Sequence, residues 1–180
     1  MEGVMIMTAK RIAIIQLTGS AIDALAAADL PAARRRSGLD LTDYFIDADN
    51  LGTWQIRRAQ LVDDPAAAAW ITGVVWDRDE ERPVGRAGFH GPPDDVGMVE
   101  VGYSIDPDQR RRGYARATLA YLLERAGRER DVRTVRASIA PDNVPSLNLV
   151  REFGFVEVGE QWDDEDGLEI IYEVPAPDPG

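Results

Sequence analysis

Hydrophobic and polar residues alternate with the two-residue period of a β-strand in several short segments of the chain. In one of them Val99 and Val101 lie on one side, and Glu100 between them faces the opposite side. This alternation, together with short apolar runs, predicts strands over residues 11–17, 67–76, 83–90, 98–105, 134–139, 155–161 and 168–174.

Other segments carry apolar residues three and four positions apart, which is the spacing of one helix face. They predict helices over residues 20–28, 51–61, 113–128 and 144–152. Ser20 is suited to cap the first helix, and Gly154 is suited to the left-handed position after the last one. The element order β, α, α, three β, α, β, α, β, β predicts a mixed sheet with helices on its faces, an α/β (α+β) domain.

A chain of 180 residues fits one domain spanning 1–180, in which we expect residues 1–10 and 175–180 to be flexible. The absence of cysteine excludes disulfides, thiolate metal sites and a cysteine acyl-enzyme, and the single histidine, His90, excludes a multi-histidine metal site. The apolar stretch at 1–7 is too short for a signal peptide, and no apolar run approaches a membrane span. We therefore expect a cytoplasmic protein without a metal.

The chain is acidic, with 20 basic and 32 acidic residues and a formal net charge of −12. A surface of this sign repels nucleic acid phosphates and anionic membranes, so neither is expected as a partner. Acidic segments at 77–81 and 163–166 would instead attract a cation, although a solvated hairpin turn is the simpler interpretation of the second.

Four arginines reverse this sign locally, where a turn opens into the helix at 113–128: Arg110, Arg111, Arg112 and Arg116. A helix N-terminus presents unpaired N–H groups and partial positive charge, so cations are unfavourable there unless an anion lies between them. Gly113 and Ala115 would let phosphate oxygens approach the main chain. The pattern predicts a phosphate ligand, with a solvated basic helix start or a nucleic acid contact as alternatives. It matches neither a P-loop nor a Gly-x-Gly-x-x-Gly motif.

The segment Arg-Arg-Arg-Gly-Tyr-Ala at 110–115 resembles the Arg/Gln-x-x-Gly-x-Gly/Ala loop of the GNAT superfamily of N-acetyltransferases. The segment 140–155 is similar to that superfamily's Asn-x-x-Ser/Ala…Gly-Phe helix. Gly102-Tyr103 followed by Asp106-Pro107 resembles the subgroup that includes ribosomal-protein-alanine N-acetyltransferases. The resemblance is clearest over residues 65–175.

This resemblance implies a mostly antiparallel sheet that splays between its fourth and fifth strands and holds acetyl-CoA in the opening. Main-chain groups near Tyr103 would pair with the pantetheine arm, and N–H groups of 111–116 would hold the pyrophosphate. Asn143 would contact the pantetheine, or cap the helix that follows it. The implied cofactor-binding residues are Ser104, Ile105, Arg110, Arg111, Arg112, Gly113, Tyr114, Ala115, Arg116, Asn143 and Asn148.

The implied activity is acetyl transfer from acetyl-CoA to a primary amine, either a protein N-terminus or a small cationic amine. Without cysteine, direct transfer is the economical route. Glu100 is the first candidate for the general base and His90 the second, while a surface glutamate and a turn histidine are the alternatives.

Val150 stands seven residues after Asn143, where many members carry the tyrosine that protonates the CoA thiolate. Tyr103, Ser146 or a water would then take that role. The departure keeps open a non-catalytic acyl-CoA sensor or interaction module of the same fold. The sequence leaves open both the acceptor and whether the protein is a monomer or a homodimer.

Overall fold

In the computed structural model, which describes residues 9–163 and 167–178, seven strands form one sheet in the order β1-β2-β3-β4-β5-β7-β6. The strands are β1 Ile12–Ile15, β2 Gly73–Asp77, β3 Arg82–Phe89, β4 Met98–Ile105, β5 Thr134–Ile139, β6 Val156–Asp163 and β7 Gly167–Pro175. Neighbouring strands pair antiparallel except β4 and β5, which are parallel. The predicted flexible ends and the predicted acidic turn fall partly on residues 1–8, 164–166 and 179–180, outside the described residues.

Five α-helices are found in this described part of the chain: α1 Gly19–Ala26, α2 Leu30–Ser37, α3 Ala48–Asp63, α4 Tyr114–Arg128 and α5 Val144–Glu152. They build one hydrophobic core on each face of the sheet. On β2 the adjacent residues Val74 and Val75 belong to different cores because strand side chains alternate between faces. Val75 packs in the core of α4 and α5, whereas Val74 packs in the core of α1 to α3.

The sheet splays between β4 and β5, as expected from the resemblance. Only three residue pairs join the two strands, Met98 to Thr134, Val99 to Val135 and Glu100 to Arg136. Beyond them β4 continues to Ile105 against β3, and β5 continues to Ile139 against β7. The second half of β4 therefore has an open edge facing β5.

Two local predictions are wrong and one helix was missed, each for a physical reason. The first helix is capped by Thr18 rather than Ser20, because Thr18 Oγ1 accepts the hydrogen bond of Ala21 N (3.3 Å). The alanines of the predicted strand 67–76 form a short 3-10 helix at Pro65–Ala69, capped by Asp64, and the strand begins only at Gly73. Helix α2 was not predicted, since it is a short segment rich in arginine.

Candidate active site

A cavity of about 750 Å³ opens beside the unpaired half of β4. The end of β4, the loop that follows it, and the starts of α4 and α5 form its walls. Its lining includes these predicted site residues: Tyr103, Ser104, Ile105, Arg110, Arg111, Gly113, Tyr114, Ala115, Arg116, Asn143, Ser146 and Asn148. The two sequence segments chosen for their motifs therefore meet at one cavity.

The start of α4 has no side-chain cap. Gly113 occupies its N-cap position with φ +86°, a left-handed conformation that favours glycine. Each of the other α-helices in the described residues is capped by a side chain of Thr18, Asp29, Asp47 or Asn143. The first-turn N–H groups of α4 thus remain available to an anion in the cavity.

Three of the four arginines line the cavity, and the fourth does not. Arg110 is held by a hydrogen bond from its Nε to the carbonyl of Ile105 (3.1 Å). Arg116 forms an exposed ion pair with Glu152 of α5 across the opening. Arg112 instead lines a neighbouring groove, together with Lys10 and Tyr121. Of the arginines proposed for the 3′-phosphate, Arg110 and Arg116 are therefore the better placed.

Asn143 caps α5, which is one of the two roles considered for it, and it also lies at the cavity. Its Oδ1 accepts the hydrogen bond of Ser146 N (3.3 Å). Val150, seven residues later, is fully buried in the core and cannot reach a ligand.

Tyr103, one of the predicted proton donors, lines the cavity. Its hydroxyl oxygen is buried and has no hydrogen-bond partner among the described residues. Burial raises the pKa of Tyr103, and the nearby Ser146 side chain partly offsets this. A buried phenol without a protein partner is available to donate its proton to a bound group.

The two candidate bases form a pair on the opposite face of β4. Glu100 and Tyr103 are three residues apart on the strand, so their side chains face opposite sides of the sheet. His90 Nδ1 lies 3.7 Å from Glu100 Oε1. Desolvation lowers the pKa of His90; Glu100 opposes this shift, and Arg57 and Arg86 add to it. The net shift favours the neutral imidazole.

The Tyr114 side chain points away from the cavity, so only its main chain can serve a cofactor there. Its hydroxyl donates a hydrogen bond to the fully buried carboxylate of Asp77 on β2. Lys10 Nζ lies 3.4 Å from the same carboxylate and 3.1 Å from Glu80. Burial acts to raise the pKa of Asp77, but hydrogen bonds from Tyr114, the main chain of 79–80 and Lys10 lower it to about 2.

This network also accounts for the acidic segment at 77–81, which was considered as an attractor for a cationic acceptor. Asp79 pairs with Arg11 at 2.9 Å, and Glu80 pairs with Lys10 and Arg82. Three of its acids therefore neutralise nearby cations. No local pattern indicated that Asp77 would anchor the start of α4 through Tyr114.

Near the cavity, a second group of residues was missed. Tyr44 Oη donates to the carbonyl of Ser104 (2.9 Å), and Arg86 on β3 donates from its Nε to Asn50 Oδ1. The Ser104 carbonyl, one of the main-chain groups expected to meet pantetheine, faces β3, because Ser104 and Arg86 form a hydrogen-bonded pair of the β3–β4 ladder. The main-chain groups of Tyr103 and Ile105 alternate with it and face the open edge.

The described residues contain neither a cluster of metal-binding side chains nor a helix suited to cross a membrane. No group of three or more metal-binding side chains is present in that part of the chain. Within the same residues, no helix is both long and apolar enough to cross a membrane.

The splayed sheet, and the loop that opens into α4 beside the splay, define a domain of the GNAT class. A family model described as an acetyltransferase (GNAT) domain matches residues 14–156. The protein belongs to this family.

Individual relatives agree with the assignment. The chain is 28% identical over 99 residues to the uncharacterized N-acetyltransferase YjdG of Bacillus subtilis, covering 55% of this chain and 59% of that protein. The ribosomal-protein-S5-alanine acetyltransferase of Vibrio fischeri has the same fold, with a TM-score of 0.61 at 19% identity over 94% of both chains. The structure of Mycobacterium smegmatis RimJ in complex with CoA-disulfide gives 0.63 at 16% identity, over 92% of this chain and 82% of that one. The chain spans about half the length of the curated relatives it matches.

Proposed function

We propose that the protein is an N-acetyltransferase that moves an acetyl group from acetyl-CoA directly to a primary amine. One observation carries the proposal: the uncapped, glycine-preceded start of α4 opens into the cavity beside the splayed edge of β4. The family and the RimJ complex with CoA-disulfide support acetyl-CoA as the ligand.

In this proposal the pyrophosphate binds the main-chain N–H groups of 111–116, and Arg110 or Arg116 binds the 3′-phosphate. The pantetheine arm lies along the open edge of β4 as an added strand would. Asn143 and Asn148 contact it from the start of α5. These residues line one cavity, and its volume of about 750 Å³ is within the range of cofactor sites.

The reaction requires two proton movements on opposite sides of β4. The amine nitrogen attacks the thioester carbon, the C–S bond breaks, the amine loses a proton, and the thiolate gains one. Tyr103 protonates the thiolate from the cavity side in this proposal, which its buried, unpartnered hydroxyl among the described residues supports, and Ser146 lies beside it. Glu100 accepts the amine proton through water from the other face, with His90 next to it. Main-chain N–H groups of β4 stabilise the oxyanion.

A second function, an acyl-CoA sensor without turnover, is favoured by one observation. Val150 is buried at the position where many family members carry a tyrosine. The enzyme is nevertheless preferred, because the Tyr103 hydroxyl, which has no partner among the described residues, offers another proton donor at the cavity.

The test is incubation with acetyl-CoA and a panel of amines that contains peptides, amino acids and polyamines. Thiol release and a product mass increased by one acetyl group would support the enzyme. Saturable binding of acetyl-CoA with no turnover on any amine would support the sensor. A cytoplasmic location and the oligomeric state stay predictions.

A further inference from the structure

We propose that the acceptor amine carries a carboxylate group and that Arg86 binds this group. The inference rests on the proposed function and names the chemical class of its acceptor. It replaces the expectation of a purely cationic acceptor with that of a zwitterionic one.

The first observation is the way Arg86 is held. Its Nε donates to Asn50 Oδ1, and Asn50 is buried and fixed by hydrogen bonds from its Nδ2 to the carbonyl of Tyr44 (2.7 Å) and to Asp47 (2.9 Å). No carboxylate among the described residues lies within 4 Å of Arg86. Its two terminal nitrogens make no hydrogen bond there and are still reached by solvent. The guanidinium is thus held at its Nε, and its two terminal nitrogens, which form a fork, can bind a ligand.

A second cation without a carboxylate partner lies nearby. Arg57 of α3 is 9% exposed and hydrogen-bonds only neutral groups, namely Thr72 (3.0 Å), Gln60 (3.1 Å) and the carbonyl of His90 (3.3 Å). Burial lowers the pKa of Arg57 to about 10; Arg86 adds to this shift and Glu100 opposes it. Two mutually repelling cations therefore lie close together, and Asp47, Asp49 and Glu100 act on them only from beyond ion-pair distance.

Most other partly buried cations in the described part of this protein have carboxylate partners, and the exception, Arg125, lies over the rings of Trp70 and Phe89. Lys10 pairs with Asp77, and Arg136 pairs with Glu173 at 2.6 Å. Partly buried charges are normally paired because desolvation is costly. An anionic ligand that enters this side of the sheet would supply the missing partner.

Arg86 lies on the same strand pair as Glu100 and His90, which are proposed to act on the reacting amine. Arg86 lies opposite Ser104 in the β3–β4 pairing, and His90 pairs with Glu100 further along the same two strands. A Cβ built at Gly102 would lie 2.9 Å from His90 Nε2, so the imidazole leans over Gly102 toward Arg86. Gly102 and Ser104 are roughly 7 Å apart along the strand, a span that a small amino acid bridges.

The free fork of a guanidinium matches the two oxygens of a carboxylate, which favours a carboxylate over other anions. A polyamine, in contrast, would bring further positive charge to Arg57 and Arg86. The acceptor therefore places its amine near Glu100 and His90 and its carboxylate at Arg86.

The experiment compares matched acceptors with acetyl-CoA: α- and ω-amino acids of increasing length, the amide of each, O-phosphoethanolamine and spermidine. We expect kcat/KM to be about tenfold or more higher for the acids than for their amides. The Arg86→Gln variant should raise KM for the acids about tenfold and leave the rates with the amides and the affinity for CoA unchanged. Arg86→Lys should fall between the two, because it keeps the charge and loses the fork.

Arg130→Gln removes the same charge from an exposed residue outside the site and is the matched control. The inference is overturned if wild type acetylates amides or spermidine as well as the acids, if it prefers the phosphate-bearing amine, or if Arg86→Gln keeps the preference for acids. In each of these cases the observed turnover leaves the proposed function standing. Binding of CoA with no turnover on any acceptor overturns both proposals.

Discussion

The proposed donor and acceptor halves of the site are built in different ways. The donor half consists mainly of one continuous stretch, residues 103–116, and it offers chiefly main-chain groups at an uncapped helix start. The acceptor half consists of side chains from α3, β3 and β4, among them Asn50, Arg57, Arg86, His90 and Glu100. Because the donor half uses main-chain groups and the acceptor half uses side chains, substitutions can change the acceptor without changing the donor site.

The largest effect is expected from a variant that disrupts only the donor half. Gly113→Glu forces a side chain into a left-handed conformation and adds negative charge at the start of α4. We expect CoA affinity to fall about a hundredfold or more, measured by isothermal titration calorimetry.

Gly38→Glu is the matched control, because Gly38 has φ +72° at the end of α2, away from the cavity. It should lower stability comparably and leave CoA affinity near that of wild type. Equal loss of affinity in both variants would show that strain, and not the cavity, explains the effect.

The next test separates chemistry from cofactor binding. Glu100→Gln removes the proposed base but keeps the size of the side chain. We expect kcat to fall about a hundredfold at neutral pH, with CoA affinity unchanged. Steady-state kinetics and calorimetry measure the two quantities, and full activity would transfer the role to His90 or to water.

Tyr103→Phe tests the proton donor of the cavity side. Because the Tyr103 hydroxyl has no protein partner, its loss should leave stability unchanged and lower kcat about tenfold. Tyr121→Phe on α4, a tyrosine outside the cavity, is the control. If kcat of Tyr103→Phe equals that of wild type for every substrate tested, Tyr103 has no part in the mechanism.

Tyr114→Phe should give the opposite pattern to Tyr103→Phe. It deletes a hydrogen bond to the buried carboxylate of Asp77, so we expect unfolding free energy to fall by about 1.5–3 kcal/mol. CoA affinity should fall only severalfold, since the start of α4 loosens while its N–H groups remain. Thermal or urea unfolding checks the first effect, and a Tyr114→Phe variant as stable as wild type would contradict it.

The last test concerns pH. The pKa of Asp77 is lowered to about 2 from its ordinary value near 3.9. Its contribution to stability is therefore complete above the ordinary value and is lost as pH falls through about 2. Asp77→Asn should remove this part of the acid sensitivity in unfolding curves recorded between pH 5 and 2. Parallel curves for the two proteins would contradict the network.

The contrast between the two halves also explains what could be predicted from the sequence. The bounds of β4, β5 and α5 match the predictions, since alternation, Asn143 and Gly154 are local signals. The proposed donor residues could be chosen from the sequence because a loop that works through its main chain needs glycine and small residues close together in sequence.

The acceptor half could not be found in this way. Arg86 and Asn50 are 36 residues apart, and Tyr44 and Ser104 are 60 apart. Only the packing of α3 against the sheet brings them together. The partner of the Tyr114 hydroxyl was equally hidden, because Asp77 lies 37 residues earlier in the chain.

A crystal structure with coenzyme A tests the central claim most directly. We expect the pyrophosphate on the main chain of 111–116 and the pantetheine arm along the open edge of β4, with its sulfur near Tyr103. Coenzyme A bound in the neighbouring groove of Arg112 and Lys10, or a cavity that stays empty at saturating ligand, would contradict the claim.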